Sequence, residues 1–228
     1  MKDSSMRHGL TFVLVATLSF FATHSSSAED PMQPPNAREA TWVMAGKIGL
    51  AASAAIQNAD PQAVNNVMRD ANQIANFLEI ELPELPQKKG TPASYGATVL
   101  HYLLNDLGPA TRAIEAEHGQ PAAALMEMGV KSYILTTMYD PKGDIGLSIA
   151  DVIESRAKRA QLPREIDDAL LTAIRSQASY EVVKKELLAM HQQIRAFLHS
   201  PPPSATTVTA TPETAINDQI NNALNAAK

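Results

Sequence analysis

The sequence predicts an all-α protein: a bundle of antiparallel helices, about six to eight of them, with no β-sheet. Three observations lead there. Apolar residues recur at helical spacing in one segment after another. Asp60-Pro61, Thr91-Pro92 and Thr211-Pro212 repeat one start signal, a side-chain acceptor followed by Pro at the first helical position. Hydrophobic residues make up 45% of the chain but aromatics only 5%. Such an Ala-rich mixture suits close-packed helices, because Ala has the highest helix propensity and lets backbones approach.

The amino terminus has its own signature. Lys2 and Arg7 outweigh Asp3, and an apolar run covers 10–22, interrupted by Thr11, Thr17 and Ser19. A run of that length matches the h-region of a signal peptide and is too short for a stable membrane anchor. Ser26 and Ala28 then occupy the −3 and −1 positions of a small-x-small cleavage site. The expectation is an exported protein, periplasmic or secreted, with residues 1–28 removed after Ala28 and a mature start at Glu29.

Residues 29–36, with Pro31, Pro34 and Pro35, read as a disordered leader to a helical domain over 37–199. The first helix, 37–58, has Met44, Ile48, Ala51 and Ala55 as its core stripe. Gly46, Gly49 and Ser53 form a small patch beside it, suited to tight helix packing. The second, 61–79, turns Val64, Val67, Met68, Ala71, Ile74, Ala75 and Leu78 inward and exposes a run of Asn; it is expected to pack against the first as an antiparallel pair. Pro83 and Pro86 mark the longest internal loop, 82–89. The third helix, 92–107, carries Val99, Leu100, Leu103 and Leu107.

A short helix over 110–117 closes at Gly119, a residue suited to positive φ. The fifth helix, 121–139, is apolar nearly all round, so it belongs at the centre of the bundle. Its two charges, Glu127 and Lys131, have the i,i+4 spacing of a pair. After the turn 140–144 comes a sixth helix to 161 with Ile149, Val152 and Ile153 inside. A seventh opens at Pro163 with Ile166, Leu170 and Ile174 inside. The eighth turns Val183, Leu187, Met190, Ile194 and Phe197 inward. A Pro/Thr-rich linker, 200–211, leads to a short amphipathic helix over 212–228 with Ile216, Ile220 and Leu224 on one side.

Composition excludes several function classes. The chain has no Cys, which removes thiol catalysis, Cys-ligated zinc, disulfides and C-x-x-C-H haem attachment. The formal charge is −5, with no dense basic cluster, which argues against nucleic acid as a partner. No apolar run after the signal peptide is long enough to span a membrane.

The candidate chemistry is sparse. Glu115-x-x-His118 has the spacing of a di-metal bundle ligand pair, but it occurs once. His191, Arg195 and His199 read as a solvated basic edge. Met44 with His191 or His199 forms only a thin case for haem. Ser94, Thr98, His101 and Asn105 share a face that no single helix can focus on one point. Neither metal nor cofactor is expected. The best ligand reading is a cleft beside the fifth helix lined by Tyr102, Met126 and Tyr133. The leading expectation is a non-enzymatic binding or interaction module with a protein partner in the cell envelope.

Overall fold

The computed structural model describes residues 36–57 and 60–200. The expected signal peptide, most of the leader, the linker from 201 and the C-terminal helix lie outside the described residues. Within them the protein is all-helical: α1 (Ala37–Ile56), α2 (Pro61–Phe77), α3 (Pro92–His101), a π-helical turn (Tyr102–Asp106), α4 (Gly108–His118), α5 (Gln120–Met138), α6 (Asp144–Arg159), α7 (Glu165–Arg175) and α8 (Tyr180–His199). No strand occurs among the described residues. The all-α bundle expected from the sequence is the fold observed.

The caps explain several starts. The side chains of Asn36, Asp60 and Thr91 accept from the backbone N–H groups of Glu39, Gln62 and Ser94. Each satisfies a donor that the first helical turn leaves free. Three helix ends share a second device. Glu79, Gln161 and Gln177 adopt φ of 56°, 57° and 55°. The next residue then reaches back five positions: Ile80 to Ala75, Leu162 to Ala157 and Ala178 to Ala173. These are Schellman motifs, normally completed by Gly.

At the centre of the bundle, α5 packs against α1, α4, α6 and α8. The position expected for α5 is therefore observed, but α1 shares it, with α2, α3, α5 and α8 around it. Beyond its expected stripe, α1 also buries Ala40, Thr41, Trp42, Ala45, Gly46, Gly49, Leu50 and Ala52. Small residues allow this approach. Gly49 lies under the Tyr133 ring, and Gly129 faces Ala45 and Trp42. Residue numbers rise together across these contacts, so α1 and α5 run parallel. Helices joined by short turns run antiparallel, as with α5 and α6, where Glu127 meets Arg156.

That ion pair corrects an expectation. Glu127 reaches across to Arg156 rather than along its own helix, while Lys131 donates to Leu104 O at 3.4 Å. On α8, Leu198 is buried where Phe197 was expected, and Phe197 lies at the surface under the Arg38 guanidinium.

Candidate functional site

The three side chains expected to line a cleft are each engaged in packing. Tyr102, buried on the π-helical turn, donates its hydroxyl to Pro83 O at 2.9 Å. Met126 is fully buried on α5. Tyr133 places its ring over Gly49 on α1. Tyr102 thus serves the 82–89 loop and Tyr133 serves the α1–α5 contact. Burial raises the pKa of both phenols, with Asp106 adding to the shift at Tyr102.

The structure assembles a different polar cluster, on three helices. His191 of α8 lies with its ring centroid 4.9 Å from Trp42 of α1 and 5.5 Å from Tyr133 of α5, the latter edge-on. Its Nε2 is 2.8 Å from Ser132 Oγ. Ser132 is fully buried and donates to Gly129 O, also at 2.8 Å. A serine has one hydroxyl proton. With that proton on the carbonyl, His191 is the neutral Nε2–H tautomer and donates to Oγ. His191 keeps part of its surface exposed. Desolvation of the ring nevertheless pulls its pKa down to about 4, so it is uncharged at neutral pH.

A serine bonded to an imidazole is part of an acyl-transfer nucleophile. Here the imidazole presents a proton to Oγ rather than a lone pair. No carboxylate is hydrogen-bonded to His191 among the described residues, and Ser132 has no surface for a substrate to reach. The geometry therefore fastens α8 to α5 and α1. Sequence spacing grouped His191 with an exposed edge; the structure corrects this, because Trp42 and Tyr133 come from remote segments. His199 does lie at the surface, bonded to Glu39 at 3.1 Å, and Arg195 is exposed.

The other candidates stay apart. His118 bonds Leu78 O at 2.8 Å. Ser94, Thr98, His101 and Asn105 are exposed, as a solvated face would be. No group of three or more His, Asp or Glu that could hold a metal occurs among the described residues. Near the α5–α6 turn, Tyr139, Pro141, Asp144, Gly146, Leu147 and Ile174 help to line a cavity of about 30 Å³. No helix among the described residues is long and apolar enough to cross a membrane.

The chain matches no protein-family model, no curated protein and no solved structure.

Proposed function

We propose that the protein is an exported, non-enzymatic interaction module of the cell envelope. Its partner docks at the end of the bundle where α5 turns into α6 and α7 into α8. One observation carries this reading. Met138, Ile145, Leu147 and Val182 sit at that end, exposed by 37%, 43%, 41% and 44%. Two backbone-directed hydroxyls brace it: Tyr139 to Ala178 O at 2.8 Å and Tyr180 to Thr136 O at 3.0 Å. Large apolar side chains left exposed at one braced end of the bundle supply the apolar surface that a protein contact uses.

A photo-crosslinking residue at Leu147 or Val182 is expected to give one discrete adduct in cells, absent from the same residue placed at Gln193. Ile145→Asp should abolish it without unfolding the bundle. Identical patterns from all three positions would remove the proposed surface. Export has its own test. The mass of the mature protein should correspond to a start at Glu29, and an intact amino terminus would reject cleavage after Ala28.

A further inference from the structure

Residues 81–86 read Glu-Leu-Pro-Glu-Leu-Pro, one tripeptide written twice. They lie between α2 and α3, outside any helix. A period of three belongs to polyproline II, which has three residues per turn and no internal hydrogen bonds. Among the described residues, none of 81–89 joins a backbone–backbone hydrogen bond. The prolines are held by side chains instead. Tyr102 donates to Pro83 O and Tyr95 to Pro86 O, each at 2.9 Å.

The spacing accounts for the match. Three residues of polyproline II advance about 9 Å, and seven residues of helix about 10 Å. The strap therefore runs opposite to α3, with one tyrosine for each proline carbonyl. Tyr95 and Tyr102 are buried, Leu82 and Leu85 pack on the core, and Glu81 and Glu84 are exposed. The α3 face thus takes a proline carbonyl twice, the leucine before each proline packs on the core, and the third residue faces solvent.

We propose that the Tyr95–Tyr102 face of α3 is a binding site for extended Leu-Pro-x-Leu-Pro segments of a partner protein, covered in the free chain by its own strap. The strap has no ladder to hold it. It is flanked by two left-handed residues where the chain pivots, Glu79 and Gly90. The π-helical turn that carries Tyr102 is a distortion found frequently at functional sites. A tethered strap competes at high local concentration, so the site opens only when the strap's grip is weakened or a partner supplies more contacts. This site is separate from the apolar end of the bundle and does not depend on it.

The probe is a fluorescent peptide with the sequence of residues 80–87, titrated by anisotropy into the full chain. Leu82→Ser with Leu85→Ser loosens the strap. This variant is expected to bind the peptide saturably and at least tenfold more tightly than the unmodified chain. Adding Tyr102→Phe should weaken binding about tenfold, the worth of one hydrogen bond. No saturable binding to a loosened chain of native helical content would overturn the proposal, as would binding indifferent to Tyr102→Phe. If the loosened chain fails to fold, a chain with ten Gly/Ser residues inserted both between Ile80 and Glu81 and between Lys88 and Lys89 decides. Lower local concentration should then raise peptide affinity severalfold, and unchanged affinity would overturn the proposal.

Discussion

A Cβ added to Gly49 would lie 2.3 Å from Tyr133 Cγ, inside the distance at which two carbons can coexist. The ring sits directly on the helix backbone, with no flexible tip to move aside. Gly49→Ala gains helix propensity of up to about 1 kcal/mol but must displace a buried ring, at about 1–3 kcal/mol or more. The expected net loss is about 2 kcal/mol, read from urea unfolding. Tyr133→Ala removes the Cγ and Cδ2 that meet the added Cβ, so it should relieve most of the clash when combined with Gly49→Ala, and the two changes will be strongly non-additive.

His191 gives the fold a pH dependence of defined sign. Its folded pKa, about 4, is below the ordinary 6.5. As pH falls the unfolded chain takes up the proton first, so stability from this residue is complete above 6.5 and declines between 6.5 and 4. The full shift corresponds to about 3 kcal/mol; partial exposure of the residue makes that an upper figure. Unfolding free energies at pH 7 and pH 4.5 should differ by about 1–2 kcal/mol more in the natural chain than in His191→Leu. An identical pH profile in the two would contradict the enclosed, neutral imidazole.

Thr41 is fully buried on α1, and its hydroxyl has no hydrogen-bond partner among the described residues. A buried polar group without a partner is destabilising by about 1–3 kcal/mol. Thr41→Val keeps the branched shape and removes the hydroxyl. The expected outcome is a gain of about 1 kcal/mol in denaturant unfolding, with the helical signal unchanged.

Glu79, Gln161 and Gln177 hold the left-handed position of their Schellman motifs without being Gly. That conformation costs an L-residue roughly 1–2 kcal/mol, while Gly gives back about 0.5–1 in chain entropy. Each replacement by Gly should therefore stabilise by about 0.5 kcal/mol. The three sites end three different helices, so the triple variant should show the sum.

Local signals placed the helices well. Asp60, Thr91 and their following prolines gave true caps, and the charge-poor surface of 121–139 placed α5 at the centre. Non-local facts were illegible. The centrality of α1 was hidden because most of its inward residues beyond Met44 and Ile48 are Ala and Gly, small enough to look neutral in any periodic pattern. His191 and His199 seemed to share an edge. Yet eight residues of helix turn about 80° past alignment, enough to put one inside and the other in solvent. The Ser132–His191 pair joins separate helices, and no spacing rule links them. Pro83 and Pro86 identified a loop. That their carbonyls meet Tyr102 and Tyr95 follows from an antiparallel register between the loop and α3 that no local pattern encodes.

The parallel pairing of α1 with α5 also sets the order of assembly. Parallel neighbours cannot be joined by a tight turn, so three helices must be made between them before the central contact can close. The ends are more remote still: Asn36 Nδ2 donates to Leu198 O across 162 residues. A nascent chain stopped before residue 120 would hold α1 with its Ala/Gly face bare and nothing to cover it. Such a topology folds late, because loop closure must precede its non-local contacts. The α1–α2 contact can close early, but the core is complete only when α5, and then α8, have been made.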